Sequence, residues 1–255
     1  MIDQVLASDK SRQDVWRFEA FDGVFPSGNH SELSSKFHPS GAAKPFYGLT
    51  VVAFIDRDSE LYQKLCDYQN RIKTALKIAG LDSTFSFLDP ISFHMALCDI
   101  VASPLPIPIP DAEGIIQTAR KIFPQLGKNP DLSCKLTNMG IDFSLMLLAQ
   151  FDSAIRLNDC LTLEKCLKDG FDVDERSFLG HVSLAYFVQP PGSAIERIKN
   201  ILHPFSREAL GTFPITKISL CFFRDMNSYT PLMSIDLLNG TFNDYSSTID
   251  LSTLQ

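Results

Sequence analysis

The chain has 255 residues, of which 45% are hydrophobic and 21% are charged, and its formal net charge is −7. This length and composition suffice for a sizeable core in one large domain or in two closely packed lobes. The acidic balance and the lack of a basic cluster argue against a protein that grips long DNA or RNA. A small phosphorylated ligand is compatible with the sequence, because one or two local cations suffice to bind it.

Signals for export, membrane insertion and metal binding are missing from the sequence. Residues 1–16 are charged and lack the apolar core of a signal peptide, and no apolar run approaches the roughly 20 residues that span a bilayer. The six cysteines include no Cys-x-x-Cys pair and are interpreted as small buried hydrophobes. The sequence therefore predicts a cytoplasmic protein without a bound metal, although export by a route that needs no signal peptide stays open.

The first half of the chain begins with a polar segment, residues 1–35, whose glycines and prolines indicate irregular structure. Hydrophobic periodicity then predicts a strand, a helix, a strand and a helix, at residues 49–55, 59–79, 91–98 and 111–123. The proline-rich stretch 101–110 is expected to be an extended connection between the halves.

The second half repeats this order of elements. Strands are predicted at 132–136, 141–150, 180–188, 215–223 and 232–237, and helices at 153–168 and 194–202. No sequence repeat aligns the two halves, so the repetition is one of architecture. The pattern predicts an α+β fold with a single two-lobed domain over residues 36–238 and a polar C-terminal tail over residues 239–255.

Each half contains one histidine in an apolar, strand-like run. The two runs are Phe93-His94-Met95-Ala96-Leu97 and Gly180-His181-Val182-Ser183-Leu184. Strand alternation predicts that Ser92, Ala96 and Cys98 share a face with His94, and that Ser183 and Ala185 share a face with His181. A lone histidine in such a strand is more often a hydrogen-bonded core residue. Two equivalent placements beside small residues favour a paired ligand site.

This pair of motifs resembles the two-histidine (2H, LigT-like) phosphoesterase superfamily. Further short segments in the same order resemble one of its subgroups, described only as a domain of unknown function. These segments are Lys36-Phe37-His38-Pro39-Ser40-Gly41, Pro45-Phe46-Tyr47-Gly48-Leu49-Thr50 and Phe223-Arg224-Asp225-Met226. The resemblance implies a two-lobed fold in which two mostly antiparallel sheets face a central cleft, with helices on the outside.

The resemblance also implies metal-independent hydrolysis of a small cyclic phosphate or nucleotide, of the 2′,3′-cyclic phosphate type, without a cofactor. His94 and His181 would be the general acid and base, in an order that the sequence leaves open. Ser183 would donate to the phosphate, whereas Ala96 stands where the first motif should carry a hydroxyl. The loss of one such donor typically slows a reaction by about 100- to 1,000-fold.

Other side chains are candidates for contacts with the substrate. Ser92 lies on the same predicted face as His94 and is a substitute phosphate donor. Lys217 is predicted to be on a strand in phase with Ser219, and Tyr47 and Tyr229 are further candidates for binding an anion or a base.

Two other functions stay open from the sequence. One is a catalytically impaired module of the same fold that binds a nucleotide or phosphate, and the other is a structural or interaction protein whose histidines are simply buried. In each catalytic or binding case the partner is a small phosphorylated ligand rather than a long nucleic acid or a membrane, and the oligomeric state is left open.

Overall fold

The computed structural model of the chain describes residues 35–129, 132–173, 180–250 and 252, so the irregular segment predicted for residues 1–35 lies outside it except for its last residue. The α-helices of this part are α1 (Glu60–Ile78), α2 (Ile109–Ile122), α3 (Ala154–Phe171) and α4 (Ile195–Leu202). The strands are β1 (Tyr47–Phe54), β2 (Phe85–Phe87), β3 (His94–Ser103), β4 (Ser133–Ile141), β5 (Ser144–Gln150), β6 (His181–Phe187), β7 (Gly211–Pro214), β8 (Lys217–Asp225), β9 (Ser228–Asp236) and β10 (Phe242–Asp244).

The strands pair antiparallel in the order β10-β9-β8-β1-β3-β6-β5-β4-β7, with β2 beside β6. A single pair of residues, Met95 and Val182, joins β3 to β6. We call β1, β3, β8, β9 and β10 the first lobe, and β2, β4, β5, β6 and β7 the second lobe. The predicted α+β fold with antiparallel pairing is confirmed. The strands form one ten-stranded sheet, and its parts in the two lobes, which we call the sheet of each lobe, meet along the β3–β6 seam.

The helices and one face of each sheet enclose the main hydrophobic core. Helix α1 forms because its apolar residues recur three and four positions apart and because Ser59 caps its first turn, accepting a hydrogen bond from the Tyr62 N–H at 3.1 Å. The inward residues of α1 are fully buried: Leu65, Tyr68, Ile72 and Leu76. In the described ranges, no helix combines the length and apolar character needed to cross a membrane.

The boundaries of several predicted elements were wrong. The predicted strand over 91–98 begins only at His94, because Asp89 caps a short 3-10 helix over Pro90–Ser92. The apolar run 141–150 contains a turn, and its first residue belongs to β4. Helix α3 continues past Gly170 to Phe171, because the left-handed residue that ends it is Asp172, and Gly170 packs closely against the Ile122 side chain of α2.

Three short strands, β2, β7 and β10, were missed by the sequence analysis, and β2 pairs with β6. β7 pairs with β4, and β10 pairs with β9 at the far edge of the first lobe. β10 lies within residues 239–255, so part of the segment predicted to be a polar tail adds an edge strand. Strands of three or four residues carry too short a pattern for periodicity to detect. The division into segments 1–35, 36–238 and 239–255 stays a prediction.

Both histidine strands contain a β-bulge at the third residue after the histidine. In β3, Leu97 has no partner on β1, since Ala96 and Cys98 pair with consecutive residues of that strand. In β6, Leu184 has no partner on β5 in the same way. An extra residue reverses the alternation of side chains beyond it. The predicted positions of Cys98 and Ala185 beside the histidines were therefore wrong, and both residues pack in the main core.

Gly48 lies at a point where β1 runs between β3 and β8 with no room for a side chain. A Cβ atom there would collide with the backbone carbonyl of Val101 and the ring of Phe223. We expect Gly48→Ala to lower the free energy of unfolding by about 1–3 kcal/mol, as overpacking does. Denaturant titration would measure it. Gly114→Ala in α2, where the space is open, is the matched control and should stabilise by about 0.5–1 kcal/mol. An unchanged midpoint for Gly48→Ala would contradict this close packing.

Candidate active site

The two histidines lie on either side of the seam between the lobes. The Met95 and Val182 pair is at the centre of an antiparallel crossing, and both side chains are buried in the main core. The neighbours of Met95 and Val182 along each strand therefore point to the other face of the sheet. His94 and His181 both lie on that face and are half-buried.

The register gives each histidine a different neighbour across the seam. One residue to either side of the central pair, His94 is level with Ser183, and His181 is level with Ala96. The arrangement has a local twofold pseudosymmetry that the side chains break. A hydroxyl accompanies His94, whereas only a methyl group accompanies His181.

The ring of His94 is held by its own chain. Its Nδ1 lies 2.6 Å from the carbonyl oxygen of Ser92, so Nδ1 carries the proton and Nε2 remains as an acceptor when the ring is neutral. The Tyr229 ring packs 4.5 Å from the His94 ring, and Phe54 packs edge-on at 6.0 Å. These contacts fix both the tautomer and the orientation of His94.

The His181 ring borders an open space. A cavity of about 410 Å³ extends from His181 along β3 toward the end of α3. Ala96 and Asp99 line it from β3, and Glu164 and Lys168, which form an ion pair, line it from α3. The small side chain of Ala96 leaves this space accessible beside the imidazole.

Asp99 is a polar member of the site that the sequence analysis missed. Simple alternation would place Asp99 on the core face, but the bulge at Leu97 moves it to the face of His94 and Ala96. The Thr50 hydroxyl donates a 2.8 Å hydrogen bond to the Asp99 carboxylate and thereby orients it. No pattern in the sequence marks this bulge.

The electrostatics of the site favour neutral imidazoles. Burial lowers the pKa of His181 to about 4; the Asp99 carboxylate opposes this shift, while His94 and Lys36 add to it. Burial also lowers the pKa of His94, against the hydrogen bond from its ring to Ser92 and the charge of Asp99. Burial raises the pKa of the Tyr229 hydroxyl, which therefore stays protonated and able to donate.

We expect the His181 ring to titrate near pH 4 in the ligand-free protein, well below the ordinary 6.5. Because its pKa is lowered by folding, the stability due to the neutral ring is fully present above pH 6.5 and is lost as pH falls through about 4. NMR of the ring Cε1–H gives the pKa. Between pH 6.5 and 4, the free energy of unfolding should fall further in the natural chain than in His181→Gln. Titration near pH 6.5 would contradict the burial.

Of the other predicted site residues, some lie beside the histidines and others lie far from them. Tyr229 reaches His94, as described above. Ser92 is buried in the 3-10 helix and its hydroxyl donates to the Asp89 carbonyl at 2.7 Å, so its carbonyl rather than its hydroxyl serves the site. Tyr47 is the first residue of β1, whereas Phe54, which pairs with His94, is the last. Tyr47 therefore lies far from the histidines.

Lys217 lies at the rim. It is exposed at the start of β8, two residues before Ser219, which pairs with Val52 of β1. This places Lys217 in phase with the face of the histidines but two strands from β3. Across the part of the chain that the structure describes, no group of three histidine, cysteine, aspartate or glutamate side chains is arranged to hold a metal ion.

Lys36 and Tyr186 complete the surroundings of the second histidine strand. The bulge at Leu184 turns Tyr186 to the same face as His181 and Ser183, where it joins a small second core with Phe37. The ammonium of Lys36 lies over the Tyr186 ring, 5.4 Å from its centre. Neither residue was singled out from the sequence, because the bulge that turns Tyr186 to this face leaves no mark in the sequence and Lys36 lies in a segment without a clear periodic pattern.

The α+β fold and the paired histidines are similar to those of LigT-like two-histidine phosphoesterases. Residues 36–104 match a family model described as 2H-phosphodiest, a domain of unknown function (DUF1868). The matched segment includes His94 and ends before the second motif. The resemblance predicted from the sequence is confirmed by this match. A comparison with curated proteins found no match.

Solved structures resemble the chain over most of its length. A conserved protein of unknown function from Agrobacterium tumefaciens strain C58 is similar with a TM-score of 0.63 at 17% identity, over 86% of this chain and 96% of that one. E. coli LigT in its apo form has a TM-score of 0.50 at 12% identity, over 77% of this chain and 100% of LigT. A further structure, described as a phosphoesterase, gives the same values. At these identities the similarity establishes the fold.

Proposed function

We propose that this protein is a metal-independent phosphodiesterase that hydrolyses a small cyclic phosphate, of the 2′,3′-cyclic nucleotide type. The observation that carries the proposal is the placement of His94 and His181 on one face, on either side of the Met95 and Val182 pair. In this proposal the two imidazoles lie on opposite sides of one phosphate bound at the seam. In-line displacement at phosphorus needs a base and an acid in such positions.

His94 is the general base in this proposal. Its Nδ1–H is engaged by the Ser92 carbonyl, which leaves Nε2 as the free acceptor. Nε2 takes a proton from water as the water oxygen bonds to phosphorus. The imidazolium that forms is stabilised by the same carbonyl, since the hydrogen bond from Nδ1 strengthens when the ring is charged.

His181 is the general acid. Its ring is neutral in the empty site, and the bound phosphate anion, together with Asp99, favours its protonated form. It gives its proton to the ribose oxygen as the bond from that oxygen to phosphorus breaks. The products are a phosphomonoester and a free hydroxyl, with one water consumed, and proton exchange with solvent restores both rings.

The cavity beside Ala96 provides space for the leaving group. It opens next to His181, the residue that protonates the leaving oxygen, and its volume of about 410 Å³ is large enough for part of a nucleoside. A threonine or serine at position 96 would add a donor and reduce this space. We therefore expect Ala96 to favour substrates with a bulky group on the leaving oxygen, at the cost of a slower reaction.

The test is a turnover assay with the four 2′,3′-cyclic nucleotides, in the presence of EDTA, with products followed by 31P NMR. We expect a 2′- or 3′-monophosphate as the product from at least one substrate. Activity that disappears with EDTA would contradict the metal-independent reaction. Binding of all four nucleotides without turnover would contradict the proposed phosphodiesterase function.

That last outcome would support the second candidate, a binding module of the same fold. The missing hydroxyl at Ala96 and the low pKa of His181 favour it, since both weaken catalysis while leaving the cleft intact. The third alternative, a protein whose histidines are only structural, agrees less well with the site. The His94 ring is hydrogen-bonded to the Ser92 carbonyl, but the His181 ring borders an open cavity and makes no hydrogen bond to the described residues.

A further inference from the structure

Residues 36–46 form a strap that crosses between the two lobes. Phe37 and Ala43 pair within it as an isolated bridge. The Ser86 hydroxyl of β2 donates to the Gly41 carbonyl at 2.8 Å, which fastens the strap to the second lobe. At its end, the N–H of residue 46 donates to the carbonyl of residue 224 in β8, also at 2.8 Å, which fastens it to the first lobe. The strap is thus a fixed part of the cleft.

Three aromatic rings hold the side chain of Lys36 at the start of the strap. Its Nζ lies 5.4 Å from the centre of the Phe46 ring, 5.1 Å from that of Phe143 and 5.4 Å from that of Tyr186. Cation–π contacts of this kind attract the ammonium and restrict its rotamers. One ring belongs to the strap and the other two to the second lobe, so the position of the ammonium is set by tertiary structure.

The ammonium stands at the Ser183 end of the site. Tyr186 shares its face of β6 with Ser183 and His181, and lies beyond Ser183 as seen from His181. The opposite end of the site, beyond Ala96, holds the Asp99 carboxylate and the cavity. The two ends therefore carry opposite charge.

Ser144 is a further polar group at the Lys36 end of the site, and its hydroxyl lacks a partner among the described residues. Ser144 lies directly opposite Tyr186 across the β5–β6 pair, so its side chain is on the same face of the sheet. Its hydroxyl is fully buried and is the sole buried side-chain N or O atom of the described residues without a hydrogen bond. A buried hydroxyl without a partner is costly, and an oxygen ligand or a bridging water at this end would satisfy it.

We propose that Lys36 is the cation that binds the substrate phosphate, with the non-bridging oxygens toward the strap and the leaving group toward the Ala96 cavity. This inference rests on the proposed phosphodiesterase function and adds the direction in which the substrate lies. A phosphodiester is a monoanion, and a preorganised ammonium is a strong donor to its oxygens. The position of Asp99 makes the reverse orientation unfavourable, since it would bring two anions together.

The test measures the binding of inorganic phosphate, followed by the chemical shift of the His181 ring proton, in variants of Lys36. Lys36→Met keeps the length of the side chain among the three rings and removes the charge. We expect phosphate to bind about 10- to 100-fold more weakly, the range for losing a hydrogen bond to a charged group. Lys36→Arg restores the charge, so its affinity should lie nearer to that of the natural chain.

Lys73→Met is the matched control. It also removes one positive charge and one cation–π contact, between Lys73 and Phe87, but Lys73 lies on the exposed side of α1. Phosphate binding should be unchanged in this variant. Equal losses in Lys36→Met and Lys73→Met, or no loss in Lys36→Met, would overturn the inference. Thermal melting checks that each variant is folded, and Lys36→Arg provides the comparison if Lys36→Met is not.

The cyclic nucleotide assay separates this inference from the proposed function. If the natural chain turns over no cyclic nucleotide but Lys36→Met binds phosphate more weakly, the role of Lys36 in phosphate binding is supported and the phosphodiesterase function is rejected. If turnover occurs and Lys36→Met binds phosphate as tightly as the natural chain, the phosphodiesterase function is supported and the role of Lys36 is rejected.

Discussion

Replacing either His94 or His181 by alanine is expected to lower the turnover of a 2′,3′-cyclic nucleotide by about 10²- to 10⁴-fold, the usual contribution of one general acid or base. The physical reason is that water is a poor nucleophile without a base and a ribose oxygen a poor leaving group without an acid. The two losses should not add in the double variant, because the acid and base act on one transition state. Initial rates at saturating substrate measure both effects.

The pH dependence distinguishes the two roles. His94→Ala should remove the limb of the profile that reports the base, and His181→Ala the limb that reports the acid. His203→Ala is the control, since this exposed histidine follows α4 and lies outside the site. Turnover within a few-fold of normal in both site variants would reject two-histidine catalysis.

Ser183→Ala is expected to slow turnover by about 100- to 1,000-fold, with a smaller effect on binding. Ser183 is level with His94 across the seam, and Ala96 offers no hydroxyl at the equivalent position beside His181. The site therefore depends on one strand hydroxyl where its pseudosymmetry provides places for two. The kcat and KM values, measured separately, show whether the loss is in the transition state.

The complementary change is Ala96→Thr, which introduces the second hydroxyl. It should raise kcat for a small substrate and raise KM for a bulky one, because the added methyl group narrows the cavity beside His181. Ser133→Ala, a half-buried serine of β4, controls for the loss of a strand hydroxyl elsewhere. Equal effects of Ser133→Ala and Ser183→Ala would indicate a general loss of stability.

The fold could be predicted from the sequence where long periodic segments carry the pattern. Helix α1 was predicted to within one residue at each end, since its apolar stripe, its Ser59 cap and Gly80 agree on the boundaries. The histidine strand β6 was predicted equally well, since apolar alternation and Pro190 limit it. Short edge strands were missed because their pairing depends on neighbours that are distant in sequence.

The candidate site could be predicted only in part, because strand alternation holds only as far as the first bulge. Ala96 and Ser183 precede the bulges, and the structure places them beside the seam as expected. Asp99 and Tyr186 follow the bulges and were not singled out from the sequence. A bulge depends on how two strands fit together, and one strand by itself contains no signal for it.

Lys36 was overlooked for a different reason. Its segment was noticed for its resemblance to a family, but a lysine is normally a solvated surface residue. Its position depends on aromatic side chains from 10 to 150 residues away in the chain. Contacts of this kind become visible only when the lobes are assembled.

The bulges at Leu97 and Leu184 have a consequence for how substrate range can change among relatives. Because each bulge adds one residue to its strand, every side chain beyond it points to the opposite face of the sheet. Deletion of one residue there would withdraw Asp99 or Tyr186 from the cleft and present a core residue instead. A relative could thus acquire a different ligand environment through a single insertion or deletion, with both histidine motifs unchanged.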